Sequence, residues 1–155
     1  MNFSTQGIPS ISKLLLVAFL MIAPGLAQAK SEIYTSYFSS TAVSGYDTVA
    51  YFTESKPVKG SKKFSTKYKG TKWQFKNAEN LALFKADPAK YAPQYGGYCA
   101  WAVAQNDTAK GDPTQWTVHE GKLYLNYDAT VQKKWVADKE KFIIKADGYW
   151  PKVLN

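Results

Sequence analysis

Gly45-Tyr46-Asp47-Thr48-Val49-Ala50-Tyr51-Phe52 opens the stretch that decides the fold. It runs through Trp73-Gln74-Phe75-Lys76-Asn77 and Phe84-Lys85-Ala86-Asp87-Pro88-Ala89-Lys90-Tyr91 to Tyr95-Gly96-Gly97-Tyr98-Cys99-Ala100-Trp101. Val49 to Thr53 is β-branched and aromatic, which predicts a short strand. Glu54 to Lys63 carries Pro57, Gly60 and many lysines and reads as a loop. Phe64–Tyr68 and Thr71–Phe75 alternate around Lys69-Gly70, which predicts a β-hairpin with Trp73 and Phe75 inward. Asn77 is a natural N-cap with Glu79 in the first turn, and Leu81 and Phe84 give the helix its apolar stripe. Asp87-Pro88 ends that helix, and Pro88 starts a further turn towards Tyr91.

Outward from this stretch, Pro93 and Gly96-Gly97 make a bend, and Tyr98 to Gln105 has helical spacing. Trp116–His119 and Leu123–Tyr127 flank Glu120-Gly121-Lys122, a second hairpin. Asp128 caps a final helix that bends near Ala137-Asp138 and closes at Pro151. No internal repeat, heptad or low-complexity segment stands out. Short hairpin-linked strands interleaved with helices define an α+β class, a small single domain with two to four helices.

The order of these motifs resembles the YHS-domain family, in its small exported bacterial form. That resemblance implies a small metal-binding module with a YHS (TRASH-like) core over residues 45–95 and a C-terminal helical extension from Gly96. It also implies a cysteine after an Asp-Pro-Val start and a Phe-Cys-x-x-x-Cys step at the helix start. Those positions fall on Ala50, after Asp47-Thr48-Val49, and on Lys76 and Asn80. Alanine has no donor atom, an ammonium repels a cation, and an amide oxygen is a poor ligand for a soft metal. The scaffold is kept and the familiar thiolates are absent.

The N-terminus reads as a leader. Lys13 precedes an apolar run from Leu14 to Ala23, Pro24 and Gly25 break it, and Ala27-Gln28-Ala29 is a small-x-small cleavage site. The expected organisation is a signal peptide over 1–29, a lead-in over 30–44 and the domain over 45–155, located in the periplasm or secreted. No second long apolar run exists, so no stable membrane insertion is expected after cleavage. The mature chain of about 126 residues is enough for one core. Five Trp, eleven Tyr and eight Phe make that core aromatic. All twenty cationic residues are lysine and the net charge is +8. Without arginine there are no bidentate forks for phosphate or base edges, and export removes the chain from nucleic acid. Lysines 56, 59, 62, 63, 67, 69, 72 and 76 form a basic stretch, either a solvated surface or an attraction to anionic envelope surfaces or an acidic protein partner.

Cys99 is the single cysteine and His119 the single histidine. No intramolecular disulfide can form. One Cys and one His cannot close a four-coordinate zinc site, but they suit a two-coordinate cuprous ion or half of a shared site. Cys99 opens a predicted helix, whose dipole would favour the thiolate. The same pair has the residue types of a nucleophile and its base, without a third orienting group or a thiol-hydrolase motif. Asp47 sits in a turn, where its carboxylate hydrogen-bonds backbone or offers a hard oxygen. Tyr46, Tyr51, Tyr95, Tyr98 and Trp101 are either core or the walls of an aromatic pocket completed by Asp47 and Cys99. The sequence thus predicts a non-enzymatic, metal-associated module, with a copper-type cation at Cys99 and His119 and Tyr46, Asp47, Tyr98 and Trp101 near the ligand. The alternative is a small-ligand or protein-interaction module on a scaffold without its metal ligands.

Overall fold

The computed structural model describes Met1 and residues 29–155; the leader's core and most of its cleavage site lie outside the described residues. Among the described residues no helix is long and apolar enough to cross a membrane. Helix α1 (Ala50–Thr53) precedes the hairpin β1 (Ser61–Tyr68) and β2 (Thr71–Phe75). Helices α2 (Ala78–Ala86) and α3 (Pro88–Tyr91) follow. Then come α4 (Ala100–Val103), the hairpin β3 (Asp112–His119) and β4 (Lys122–Asn126), α5 (Ala129–Ala137) and α6 (Lys139–Tyr149). The two antiparallel hairpins form separate two-stranded sheets. The class is α+β as expected, with three helices of nine residues or more and three of a single turn.

The expected strand at Val49–Thr53 is a helix. Asp47 decides this: its Oδ1 accepts the amides of Val49 at 2.9 Å and Ala50 at 3.3 Å, which holds the chain in a turn against its β propensity. The expected caps are in place, since Asn77 accepts the amide of Asn80 and Asp128 that of Val131, each at 2.8 Å.

No repeat stands out in the sequence, yet among the described residues two parts of the chain share one order of turn, short helix, hairpin and capped helix. Each begins with a left-handed 3-10 turn, at Val43-Ser44-Gly45 (φ 50°, 51° and 77°) and at Tyr95-Gly96-Gly97 (φ 55°, 60° and 88°). In each, a tyrosine then bridges a lysine, Tyr46 to Lys59 and Tyr98 to Lys110. A glycine next to that lysine lies on the second strand. A Cβ on Gly60 would stand 2.5 Å from the Gln74 carbonyl carbon, and one on Gly111 would stand 2.8 Å from Leu125 Cβ. Both hairpins have an irregular register near the start and a two-residue turn with positive φ, Lys69-Gly70 and Glu120-Gly121. Each capped helix returns an aromatic to its strand: Trp73 meets Phe84 and Tyr124 meets Trp135, both with ring centroids 5.0 Å apart. The C-terminal extension is therefore a second unit, with α6 laid across it.

The units share a core asymmetrically. Leu123 and Leu125, on one face of β4, pack with Trp73, Phe75 and Phe84 of the first unit. Tyr124, on the other face, packs with Tyr95, Trp135 and Ala146 in a second cluster. Tyr51 joins the units by donating from its hydroxyl to the Pro113 carbonyl at 2.8 Å. In the first unit the face equivalent to Leu123 and Leu125 carries Lys72 and Gln74.

Buried phenols link this packing to pH. Burial pushes the Tyr124 hydroxyl up to about 12, and raises those of Tyr51 and Tyr95 as well. In the unfolded chain tyrosine titrates near ~10. Above that pH the unfolded state loses protons that the folded state keeps, so stability is full below pH ~10 and falls as pH rises towards 12 and beyond. Urea midpoints should drop between pH 9 and pH 11; an unchanged midpoint would contradict the burial of these hydroxyls.

Candidate functional site

Asp47 is fully buried and is the hub of the first unit. Besides the two amides on Oδ1, its Oδ2 accepts the Lys76 amide at 2.9 Å and Asn80 Nδ2 at 2.7 Å. One carboxylate therefore ties the start of α1 to the end of β2 and the first turn of α2. Three of its four donors belong to Ala50, Lys76 and Asn80, the positions on which the resemblance places the family's cysteines. The Lys76 ammonium turns away and pairs with Glu54. The residues do not fit a metal: the three positions offer no thiolate, and both Asp47 oxygens already accept donors.

Cys99 is the second unit's counterpart of Asp47. It too follows the tyrosine after the left-handed turn and precedes a one-turn helix. Its Sγ lies 3.8 Å from Asn126 Oδ1, which also accepts the Trp101 amide at 3.3 Å. The amides of Ala102, Tyr127 and Trp101 face the sulfur, and Tyr127 matches Lys76 in the repeat. Cys99 is only 1 % exposed. Burial outweighs those amides and pushes the thiol up from its ordinary range. The expected dipole-favoured thiolate is thus overturned: α4 has four residues, too short for a strong dipole. Native Cys99 is expected to react with a disulfide reagent at least ~100-fold slower than in denaturant; equal rates would contradict its burial.

The structure does not bring Cys99 and His119 together. Cys99 bridges Leu125, whereas His119 pairs with Lys122 beside the hairpin turn. Those partners are three residues apart on β4, about 10 Å of strand. His119 Nε2 instead lies 3.5 Å from Glu140 Oε1. Among the described residues no group of three or more His, Cys, Asp or Glu side chains could hold a metal ion.

The aromatic residues divide between the units. Tyr46 and Tyr51 belong to the first core, and Tyr95, Tyr98 and Trp101 to the second. Lys59 Nζ sits 3.9 Å above the Tyr46 ring. The Tyr98 hydroxyl donates to the Ser31 carbonyl at 2.8 Å, and its ring meets Tyr34 and Trp150. Tyr98 lines a surface cleft of about 380 Å³ with Lys30, Tyr34 and Lys110, and Tyr95 lines another with Glu32, Lys69 and Trp150.

A further cleft, of about 350 Å³, was missed by sequence reasoning. It lies over Gln74, between the Phe38–Thr41 lead-in and Lys59–Lys62. The alternation of Thr71–Phe75 placed Gln74 on the face opposite Trp73. Nothing in the sequence showed that face to be flanked by the lead-in and by Gly45 and Gly60.

Two units of this construction, the first held together by the buried Asp47 carboxylate, define a small scaffold of helix-hairpin-helix type. The model that describes the YHS domain matches residues 49–95. The first unit is thereby similar to YHS domains over α1 to α3, while the second unit lies almost wholly beyond the match. Neither the curated proteins nor the solved structures yield a match to the chain.

Proposed function

We propose that this protein is a non-enzymatic binding module, exported after removal of its leader, in which a buried carboxylate does the cross-linking that a metal does in the metal-binding YHS pattern. One observation carries the reading: Asp47 gathers donors from the three cysteine positions of that pattern. A unit closed in this way needs no ion to fold, and its ligand sites lie on the outer surface. Catalysis has little support, because the one thiol is buried and its sole imidazole lies at the other end of a strand.

Thermal unfolding of the mature chain, with chelator and with added zinc or cuprous ion, tests this. The melting temperature is expected to be the same in all three conditions. The competing reading is a copper-type cation on Cys99, and what favours it is a thiol set among inward-facing amides. A stoichiometric cuprous ion that raises the melting temperature in the native sequence but not in Cys99→Ser would overturn the carboxylate reading in favour of copper.

A further inference from the structure

The cleft over Gln74 has the features of a binding site. Gln74 is 9 % exposed and lines the floor of the cleft. An amide at the floor of a cleft can both donate to and accept from a polar ligand. The walls supply hydroxyls from Ser39, Ser40 and Thr41 and ammonium groups from Lys59 and Lys62, with no acidic residue. Lys59 is held in place by the Ser44 carbonyl at 3.2 Å and by the Tyr46 ring. Lys62 makes no ion pair among the described residues. Gly45 and Gly60 keep the floor open: a Cβ at Gly45 would stand 2.9 Å from Gln74 Oε1.

The repeat explains why this face is free. Gln74 occupies the place of Leu125, and Lys72 that of Leu123. In the second unit these leucines are covered by the first unit's core; in the first unit the Thr41 bridge to Lys72 and the turn at Gly45 flank the face instead. Its polar, cationic residues exclude a further stacked copy. The electrostatics select an anion. Residues 41–95 carry ten lysines against four acids, whereas residues 96–155 carry eight against seven. Lys67 and Lys72 stand opposite each other across the same hairpin and add to its positive field without lining the cleft. Tyr37 and Phe38, 96 % and 94 % exposed, stand beside this mouth, and Phe38 lines it.

We propose that the cleft binds a phosphate ester of a small polyol, the chemistry shared by a soluble glycerol phosphate and the headgroup of an anionic phospholipid. Lys59 and Lys62 neutralise the phosphate, Gln74 and the serines take the polyol hydroxyls, and Phe38 covers the mouth. In the lipid case Tyr37 and Phe38 enter the interfacial layer. The assignment rests on the binding-module reading, but anion titration and metal titration are separate measurements, so either can fail alone.

The test is titration of the mature chain with glycerol 1-phosphate, followed at the Gln74 side-chain amide by NMR. Saturable shifts are expected, weakened about tenfold or more in Lys62→Glu. The matched reversal Lys133→Glu on α5 should leave them unchanged. Phosphatidylglycerol vesicles, compared with phosphatidylcholine vesicles, distinguish the sources. Retention that Lys62→Glu abolishes assigns a lipid headgroup, and binding of the free ester alone assigns a soluble ligand. No response at Gln74 to either overturns the site. So does equal weakening by Lys133→Glu, which would reduce the effect to net charge, or binding of polyglutamate without any response to the ester, which would indicate an acidic polypeptide.

Discussion

Replacing Asp47 with alanine is expected to cost roughly 3–5 kcal/mol of folding stability, measured by urea unfolding. The substitution orphans four donors at once, the amides of Val49, Ala50 and Lys76 and the side-chain amide of Asn80. Each stranded buried donor costs about 1–3 kcal/mol, and water entering the vacated space recovers part of the total. Asp47→Asn should lose less than Asp47→Ala, because the amide oxygen still accepts while its NH2 faces donors. A loss below about 1 kcal/mol in Asp47→Ala would show that the carboxylate is not the hub of the unit. The equivalent change in the second unit, Cys99→Ala, removes a weak thiol donation to Asn126 Oδ1 and weak sulfur acceptance, and should cost far less. The two units thus differ in how much they depend on the same position.

The second large effect is expected at the paired aromatics Phe84 and Trp135. Both are fully buried, and each stacks on the strand of its own unit. Truncation to alanine should cost about 3–5 kcal/mol in either case. The shared core adds a stronger expectation. Leu123 and Leu125 are built into the first unit's cluster, so unfolding of the second unit strips that cluster and unfolding of the first unit uncovers both leucines. Phe84→Ala and Trp135→Ala should each give one cooperative transition, with circular dichroism and tryptophan fluorescence coincident. Separate transitions in either variant would contradict the shared core.

Much of the fold was legible because local signals agreed with one another. The hairpins were written by alternation around Lys69-Gly70 and Glu120-Gly121, the long helices by Asn77 and Asp128, and the break between α5 and α6 by Ala137-Asp138. Val49–Thr53 was misread because strand propensity is a weak preference, and the Asp47 carboxylate overrides it by capping. The shared order was hidden for a physical reason. Equivalent strand positions face different surroundings, so Lys72 and Gln74 in one unit answer to Leu123 and Leu125 in the other. What the units share is conformational: positive-φ turns, glycines against the strand and capped helices.

The candidate site was legible in its positions and not in its connections. Asp47 was read as a hydrogen-bonding turn residue, and Ala50, Lys76 and Asn80 as the altered ligand positions of the resemblance. That the carboxylate reaches all three depends on tertiary packing across α1, β2 and α2. Cys99 and His119 show the converse, two suitable donors whose separation along β4 no spacing rule reveals. The cleft over Gln74 was invisible for a similar reason, since it exists only where the lead-in and two glycines flank an uncovered strand face.

Amide hydrogen exchange at Lys76 in chelator-treated protein tests the central claim most directly. A metal-independent bond to Asp47 Oδ2 predicts that this amide exchanges as slowly as the core of the β1–β2 hairpin, with protection lost in Asp47→Ala. Rapid exchange in the metal-free protein, or protection that returns only when a metal is added, would contradict it.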